Sequence, residues 1–470
     1  MVMIGLEVHV QLATESKLFC SDSTSIKERD ANENTCPVCL GFPGSKPVLN
    51  AKAVELGITI ALALDCKINK EFFFSRKTYF YPDMSKNFQI TQYEAPIGTG
   101  GTLESGGTKI RIRRVHIEED PARLVYVGGG ITSAEYTLID YNRSGIPLAE
   151  IVTEPDFTTP RQAREFLEKI ASMLEHLGVY DSREGTLRVD ANVSLEGSER
   201  IELKNVTGFE NVEKALNFEI VRQRGMIRMG VEVKRETRHF DAEKKTTAGL
   251  RKKEYDEDYG YIFDPDLPVI TIGDSFIDRL KSSMPELPDQ RIGRFMADYG
   301  LSEYSSHVLI YSDKHLADFF EKCVEKYRKP AVAANWIINY LLKSLNWRSE
   351  RISDSKVTPE TFVEFLGMME NGSLTERYAK ELIKEYVDTG KSPKEILEKS
   401  RLSISGTELQ KIIAKVLKKN GKAVHEFNNG EGKALQFLIG EVLALTKKQA
   451  EPKLIKDLLL KSIKDASIAQ

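Results

Sequence analysis

The sequence lacks the features of membrane and disulfide-rich secreted proteins. No apolar run reaches the length of a membrane-spanning helix. No signal-peptide pattern of a charged start, an apolar stretch and a small-residue cleavage site is found. Five cysteines in 470 residues are too few for a disulfide framework. We therefore expect a cytoplasmic protein with no membrane contact.

Phosphate-binding loops are also missing. The glycine-rich stretches at 98–107 and 128–130 do not end in the Gly-Lys-Ser/Thr of a P-loop, so we assign them no nucleotide role. Both stretches are typical of hairpin loops, which is the structure we predict for them. The chain also shows no internal repeat and no low-complexity tract.

The composition is that of a globular chain with an uneven distribution of charge. Hydrophobic residues make up 41% and charged residues 29%, and the length allows two to four domains. Residues 401–470 hold 13 lysines and arginines against 7 acidic residues, whereas residues 1–400 hold 54 against 63. A basic tail on an acidic body favours a polyanionic partner. A solvated lysine-rich helical face is the alternative, and charge alone does not decide between them.

The chain changes character along its length. Short alternating runs predict strands up to about residue 270, among them 187–195 and 201–206. From about residue 285 onward helical periodicity dominates, and a break is predicted at 390–407. Helices are predicted at 51–65, 160–178, 315–327, 331–344, 407–420 and 433–446.

The opening segment, IGLEVHVQL at residues 4–12, alternates strictly between apolar and other side chains. This period of two predicts a half-buried strand that carries Glu7 and His9 on the same face. A carboxylate and an imidazole two residues apart can share a metal ion or a proton. Taken alone, the segment is more typical of an ordinary solvated strand face than of a metal or proton site.

Four further segments place polar groups on predicted strand faces. They are RVHIEED at 114–120, PLAEIVTEPD at 147–156, LRVDANVSL at 187–195 and IELKN at 201–205. Each alone is unremarkable, because a sheet with one solvated face is common. Together they supply enough carboxylates and cations to hold Mg²⁺ and a triphosphate in one site, provided that they converge.

Residues 76–92 mix cations with aromatic rings. Lys77, Lys86, Tyr79 and Tyr81 suit contacts to phosphates and to bases or ribose. A strand followed by a Tyr-Pro-Asp turn explains the tyrosines equally well.

Three cysteines lie within residues 20–39. Cys20, Cys36 and Cys39 suggest a structural zinc site, for which Asp22, a distant histidine or Cys66 could supply a fourth ligand. A thioredoxin-like redox pair is the competing interpretation, but its βαβ context is missing. Cys66 and Cys323 are predicted to be ordinary buried thiols.

These segments, taken in order, resemble the GatB family, whose members are the B subunits of the tRNA-dependent Asp/Glu amidotransferases. The matching motifs include GLEVHVQL, CPVCLGFPG, YFYPDMSKNFQITQ, HIEEDPA, DYNRSGIPLAEIVTEPD, LRVDANVSL, ELKNV and IGEVLALTKKQAEP. The resemblance implies an α+β fold. It consists of a cradle-shaped catalytic domain at 1–290 built around an antiparallel sheet, an all-helical domain at 291–400, and a basic YqeY-like tail at 401–470 that contacts tRNA.

The resemblance also implies an activity. Such an enzyme, a carbon–nitrogen ligase, converts Glu-tRNA(Gln) and Asp-tRNA(Asn) into Gln-tRNA(Gln) and Asn-tRNA(Asn), with ATP phosphorylating the side-chain carboxylate. Ammonia then attacks the acyl phosphate, having come from glutamine hydrolysed in the partner protein GatA, with GatC completing a heterotrimer. The implied cofactors are ATP, Mg²⁺ and, at the cysteines, Zn²⁺.

The resemblance carries roles onto individual residues. It implies Glu7, His9, Glu119 and Glu150 as Mg²⁺ ligands, and it implies an ATP and acyl-phosphate site lined by Arg188, Asp190, Glu202, Lys204 and Asn205, with Glu119 also catalytic. It implies Lys77, Tyr79, Tyr81 and Lys86 as contacts to the nucleotide or the tRNA 3′ end. At the zinc site the sequence departs from the Cys-x-Cys of other members, because it reads Cys20-Ser21-Asp22.

Two alternatives from other classes remain open. One is a tRNA-binding or assembly protein that has kept the fold and lost catalysis. The other is an ATP-dependent ligase acting on a free amino acid, for which the basic tail would have no use.

Overall fold

A computed structural model describes residues 1–130, 134–183, 185–252, 260–374, 376–401, 406–428, 431–446 and 452–468. The fold is α+β, as predicted. The chain forms two compact units, Met1–Gly293 and Arg294–Gln470. The division into three domains stays a prediction.

A nine-stranded sheet dominates the first unit. In spatial order its strands are β14 (Thr246–Lys252), β13 (Glu236–Asp241), β12 (Ile201–Val206), β11 (Leu187–Leu195), β1 (Val2–Gln11), β10 (Pro147–Thr153), β7 (Thr108–Glu119), β6 (Gly98–Ser105) and β2 (Lys67–Ile68). Neighbours are antiparallel except β12 and β13, which run parallel. The opening strand therefore lies in the interior of the sheet, with both of its edges paired.

Three small sheets accompany the large one. They contain β15 (Gly260–Phe263), β4 (Ser75–Thr78) and β5 (Phe88–Thr91); β16 (Ile270–Thr271) and β3 (Glu71–Phe72); and the hairpin β8 (Arg123–Val127) and β9 (Tyr136–Asp140). The residues at 76–92 thus form a hairpin, β4–β5, joined by the turn that carries Tyr-Pro-Asp.

The apolar face of the nine-stranded sheet is covered by helices. Ile4, Leu6, Val8 and Val10 of β1 are at most 1% exposed and belong to one core. The helices of this unit are α1 (Ala51–Ala63), α2 (Pro160–His176), α3 (Phe209–Arg228) and α4 (Asp274–Ser283), and α5 (Pro288–Tyr299) contains the boundary between the units. Because the apolar positions of β1 point to this core, its alternate positions Glu7 and His9 share the opposite face.

The predicted helix at 160–178 is confirmed together with its end signals. Thr159 accepts a hydrogen bond from the backbone of Gln162, whose side chain bonds back to the backbone of Thr159, which forms a capping box. Pro160 occupies the first turn, and Gly178 adopts a positive φ of 68° beyond the last turn.

The prediction of a loop over the glycines at 98–107 was wrong for most of that range. Residues 98–105 form β6, and only Gly106 and Gly107, both with positive φ, form the hairpin turn. A Cβ added at Gly98 would lie 2.7 Å from the Cβ of Ala61, and one at Gly101 would overlap the sulfur of Cys66. These glycines therefore serve close packing within a strand and do not form a loop.

The second unit is helical. Its elements are α6 (Glu303–Ser312), α7 (Lys314–Lys326), α8 (Pro330–Trp336), α9 (Leu342–Arg348), α10 (Pro359–Glu370), α11 (Glu376–Thr389) and α12 (Pro393–Arg401). A π-helical turn at Ile337–Leu341 joins α8 to α9, so the helix predicted at 331–344 is confirmed with this irregularity. The break predicted at 390–407 was too long, because α12 occupies much of it.

The end of the chain adds α13 (Gly406–Lys419), α14 (Gly421–Asn428), α15 (Gly432–Leu445) and α16 (Pro452–Ile468). α14 was not predicted: a loop containing Asn428, Asn429 and Gly430 is expected between the helices at 407–420 and 433–446, but Asn428 ends α14, and the other two residues lie outside the described ones. Leu438, Val442, Ile455 and Leu459 form the centre of a core cluster of their own. Within the described part of the chain, no helix is both long and apolar enough to cross a bilayer.

Candidate functional site

The polar face of the nine-stranded sheet brings distant segments together. His9 on β1 pairs with Glu150 on one side and with Arg188 on the other, and Glu150 pairs in turn with His116. Directly opposed residues of paired strands project on the same face. His116, Glu150, His9 and Arg188 therefore form one row across four strands.

The first ligand-type set on this face, here called the histidine group, consists of His9, Glu118 and Glu150. One donor atom of each lies within 4.8 Å of the others. The Nε2 atom of His9 is 3.3 Å from Glu150 Oε2 and 3.9 Å from Glu118 Oε1. His116 Nε2 adds contacts of 3.3 Å to Glu150 and 3.5 Å to Glu118.

The imidazoles and carboxylates of this group stabilise each other's charged forms. Burial lowers the pKa of His9, but its hydrogen bond to Glu150 and the charges of nearby carboxylates outweigh burial and raise the pKa to about 9. Burial raises the pKa of Glu150, but His116 and His9 hold it well below its usual value. Each buried charge therefore has a partner of opposite sign.

The second set, here called the carboxylate group, consists of Glu7, Asp190 and Glu202. Glu7 pairs with Asp190 across β1 and β11, and Glu202 lies on the next strand, β12. Their carboxylate oxygens lie within 4.8 Å of one another. Asn192 Nδ2 donates to Glu7 at 3.0 Å and Thr237 Oγ1 to Glu202 at 3.0 Å, while Lys204 Nζ is 4.0 Å from Glu202.

Burial and neighbouring like charges favour the protonated form of Glu7. Burial, followed by the charges of Glu150, Asp190 and Glu202, raises the pKa of Glu7 above its usual value. A divalent cation between the three carboxylates would relieve this repulsion. Oxygen donors are those that Mg²⁺ prefers, so the carboxylate group fits that ion, and the histidine group offers two further carboxylates and an imidazole.

Arg188 is fixed by a buried acid. Its Nη2 atom donates to Asp120 Oδ1 at 2.6 Å, and the side chain of Asp120 is fully buried. Arg143 lies 3.5 Å from the other oxygen of Asp120. Asp120 therefore holds two guanidinium groups beside the polar face.

Glu119 lies apart from both groups. Lys86 Nζ donates to its two carboxylate oxygens at 2.5 and 2.6 Å, and the Ile90 amide donates to the first of these at 2.8 Å. Glu118, its neighbour, points instead to the histidine group. Strand alternation separates these two adjacent carboxylates onto different faces.

The other residues expected to contact the nucleotide or the tRNA 3′ end lie on or beside the β4–β5 hairpin. Lys77 is on β4 opposite Gln89, and Tyr79 and the more exposed Tyr81 are in the turn that follows. Asn205 is on β12, but its side chain lies outside the described residues.

The cysteine cluster consists of Cys20, Asp22, Cys36 and Cys39. One donor atom of each lies within 4.8 Å of the others. A hydrogen bond from the Cys20 thiol, opposed by burial, lowers the pKa of Cys39 to about 6. Three sulfurs and one carboxylate at this spacing fit a tetrahedral zinc ion, with Asp22 as the fourth ligand. Cys66 and Cys323 are buried elsewhere, as predicted.

Four residues of these sites were not among the predicted site residues. His116, Glu118 and Asp120 belong to HIEED, where the i, i+2 rule places them on one face of the predicted strand, but only the pairing of β7 with β10 brings that face to His9. Lys17, whose side chain is 0% exposed beside Cys39 and Asp22, carries no signal in the sequence.

Sequence comparisons with known proteins find matches over most of the chain. The model of the GatB/GatE catalytic domain matches residues 2–278, and that of the GatB domain matches residues 318–463. A protein of Sulfolobus acidocaldarius named as the B subunit of aspartyl/glutamyl-tRNA(Asn/Gln) amidotransferase is 46% identical over 98% of this chain and 100% of its own. Proteins of the same name from Thermotoga maritima and Methanospirillum hungatei are 43% and 42% identical, each over at least 98% of both chains.

Proposed function

The chain belongs to the GatB family of amidotransferase B subunits, and on that premise we propose that it activates a tRNA-borne carboxylate for amidation. Its substrates would be Glu-tRNA(Gln) and Asp-tRNA(Asn), and the products Gln-tRNA(Gln) and Asn-tRNA(Asn). The observation that carries the proposal is the convergence of the histidine and carboxylate groups on one face of the sheet.

The chemistry requires activation of the carboxylate. Ammonia does not displace oxide from a carboxylate, so ATP first transfers its γ-phosphoryl group to the side-chain oxygen and leaves as ADP. Ammonia then attacks the acyl carbon, and inorganic phosphate departs. Phosphoryl transfer depends on positioning and charge neutralisation more than on a protein nucleophile.

The two groups on the polar face are the proposed Mg²⁺ ligands. Glu7 would act with Asp190 and Glu202, while His9 would act with Glu150 and Glu118. Glu118 takes the place expected of Glu119, whose carboxylate binds Lys86 instead. Bound there, Mg²⁺ would neutralise phosphate charge and orient the γ-phosphoryl group.

Basic side chains of the same face would bind the anionic substrates. Arg188 is held in place by Asp120, so its guanidinium is preorganised to bind a phosphate or carboxylate oxygen. Lys204 lies at the edge of the carboxylate group and would neutralise the charge of the acyl phosphate. Lys77, Tyr79 and Tyr81 would contact the nucleotide or the tRNA 3′ end from the hairpin.

The proposed partners follow from the name of the relatives, which are B subunits. GatA would hydrolyse glutamine and deliver ammonia, and GatC would complete the complex. Water competes for an acyl phosphate and ammonium is not nucleophilic, so the ammonia would travel through a protected passage. The lysine-rich helices of residues 401–470 would bind tRNA, with an affinity that falls as salt rises.

We also propose zinc at the cysteine cluster, with Cys20, Asp22, Cys36 and Cys39 as its ligands. Bound zinc would cross-link the segment at 20–22 to the turn at 36–39. It would take no part in the reaction itself.

One assay tests the proposal. The chain, assembled with GatA and GatC, is given Glu-tRNA(Gln), ATP, Mg²⁺ and ammonium chloride without glutamine, and Gln-tRNA formation is measured. We expect amidation that requires ATP, and free glutamate in place of the tRNA should not be amidated. Absence of Gln-tRNA in the presence of bound tRNA would favour the non-catalytic alternative, and amidation of free glutamate would favour the free amino-acid ligase.

A matched pair of variants locates the activity on the polar face. Glu150→Gln changes a buried carboxylate of the histidine group, and Glu154→Gln makes the same chemical change just beyond β10, where Glu154 binds Arg113. Activity should be lost in the first variant and retained in the second. Equal activities would show that the chemistry occurs elsewhere.

A further inference from the structure

The cysteine cluster is joined to the polar face by a short series of contacts. Cys39, one of its members, lies in a tight turn in which the Leu40 amide bonds to the Cys36 carbonyl at 3.1 Å and the Phe42 amide bonds to the Pro37 carbonyl at 2.8 Å. These hydrogen bonds hold the backbone of the turn together with the residues that carry its sulfur atoms. Anything that this turn touches depends on how firmly the cluster is held.

The first contact runs from the turn to residue 85. The backbone carbonyl of Cys39 accepts a hydrogen bond of 2.7 Å from Ser85 Oγ. Gly41, in the same turn, lies so close to Lys86 that an added Cβ would overlap its Cγ. The turn thus supports the stem of Lys86 from one side.

The second contact joins Lys86 to β7, the strand that also carries Glu118. Lys86 Nζ binds both carboxylate oxygens of Glu119, at the end of β7. Both side chains are at most 10% exposed, so this ion pair is little screened by water. Glu118, which belongs to the histidine group, directly precedes Glu119 on the same strand.

A parallel connection starts at the residue beside Lys17. The Leu18 amide donates to the Gly145 carbonyl at 2.8 Å, and the Gly145 amide donates to the Asp120 carbonyl at 2.9 Å. Asp120 holds Arg188. Two separate series of contacts therefore lead from the neighbourhood of the cysteine cluster to residues 118–120.

Lys17 places a buried positive charge beside the cysteine cluster. Its Nζ donates to the Asn34 carbonyl at 2.8 Å and lies 3.7 Å from Cys39 Sγ and 3.9 Å from Asp22 Oδ2. Four anionic donors exceed the charge of a divalent ion, and a buried ammonium offsets part of the excess. Without such partners, burial of the Lys17 ammonium would be costly.

We infer that the cysteine cluster, when it holds a zinc-class cation, positions Lys86 and Glu119 and thereby orders the end of β7 for carboxylate activation. This inference rests on the proposed function. It makes Ser85, Lys86 and Glu119 positioning residues that act on the reaction through Glu118. The metal itself contacts no substrate.

The experiment compares two cysteine variants in the assembled complex. Cys36→Ala removes a ligand of the cluster, whereas Cys66→Ala makes the same change at a buried thiol outside it. Three quantities are measured: bound zinc, hydrogen exchange of the peptide containing the Ile90 amide, and the kcat and KM for ATP with ammonium chloride as nitrogen donor. The Ile90 amide reports on the Glu119 carboxylate, to which it is bonded.

We expect Cys36→Ala to lose zinc, to exchange faster at Ile90 and to lose about 10–100-fold in kcat with little change in KM. Cys66→Ala should retain all three properties. A Cys36→Ala protein that loses zinc but keeps wild-type exchange and kcat would overturn the inference, as would a wild-type protein that takes up no zinc on reconstitution. If the wild type makes no Gln-tRNA, the proposed function fails, while zinc content and exchange still decide whether the coupling exists.

A second pair keeps every metal ligand and guards against misfolding. Ser85→Ala deletes the hydrogen bond to the Cys39 carbonyl. Ser45→Ala is its control, because within the described part of the chain Ser45 Oγ bonds only to the Phe42 carbonyl in the same loop. Ser85→Ala should retain zinc yet show faster Ile90 exchange and a reduced kcat. Identical behaviour of the two serine variants would contradict the coupling.

Discussion

The histidine group and the carboxylate group occupy the same face of the same sheet, yet they balance charge differently. His9, Glu118 and Glu150 include both signs of charge, and His116 adds another imidazole. Glu7, Asp190 and Glu202 are all acidic, and Lys204 lies 4.0 Å from Glu202. The charges of the first group therefore balance one another, whereas we expect the second group to gain stability from a bound cation.

The difference indicates separate roles for the two groups. A group that neutralises itself keeps its geometry when substrate and nucleotide leave. A group in which three carboxylates crowd together binds a cation more strongly and changes more when the cation departs. We expect the carboxylate group to respond more to the presence of Mg²⁺ with ATP.

The largest expected effect comes from the carboxylate shared by both imidazoles. Glu150→Gln should lower amidation by at least about 100-fold. It should also lower the free energy of unfolding in EDTA by about 3–5 kcal/mol, because His9 and His116 each lose the nearer of their two buried carboxylate partners. Chemical denaturation and the ammonium-dependent assay measure the two effects, and unchanged stability would show that the histidine group does not compensate itself.

The corresponding change in the carboxylate group should act with the opposite sign on stability. Glu7→Gln removes one of three crowded carboxylates, so in EDTA the Tm should rise by about 1–3 °C. Mg²⁺ affinity, measured by calorimetry, should nevertheless fall about 10–100-fold. A lowered Tm in EDTA would remove the contrast between the two groups.

The stabilising effect of Glu7→Gln should depend on pH. The pKa of Glu7 is raised in the folded protein, so its charged form is penalised above that raised pKa, and the penalty is lost as pH falls towards the ordinary value of 4.5. The Tm difference between the variant and the wild type in EDTA should therefore be present at pH 7 and vanish near pH 4.5. A difference that grows on acidification would have the wrong sign.

The smallest effect is expected at the exposed rim of the face. Arg113 pairs with Glu154 at 2.8 Å, but its side chain is 54% exposed. Arg113→Ala should change the free energy of unfolding by less than about 1 kcal/mol and leave Mg²⁺ affinity unchanged. A loss of Mg²⁺ affinity in this variant would mean that charges at the exposed rim affect cation binding by the histidine and carboxylate groups.

Local patterns predicted the strands better than the contacts between them. Alternation located β1 and β11, and it placed Glu7 and His9 on one face. In HIEED, however, two adjacent glutamates compete for the same role, and the resemblance pointed to Glu119. Which of them faces His9 depends on how β7 pairs with β10, and that pairing joins segments far apart in sequence.

Two other features depend on tertiary packing and had no local signal. A lone lysine such as Lys17 is typical of a surface, and only the fold buries it beside Cys39. Glycines such as Gly98 are typical of loops, and only the approach of α1 explains them within a strand. The cysteine spacing, in contrast, was informative, and Asp22 lies among the three cysteines.

The interior position of β1 has a consequence for biosynthesis. Val8 is among the first residues to leave the ribosome, but its strand partners Ile151 and Val189 follow about 140 and 180 residues later in the chain. At roughly 5–20 residues per second, β1 waits about 7–30 s before the first of its two edges can pair. An apolar strand in that state can pair wrongly or aggregate, so yield during synthesis should depend on chaperones more than the stability of the finished fold would indicate.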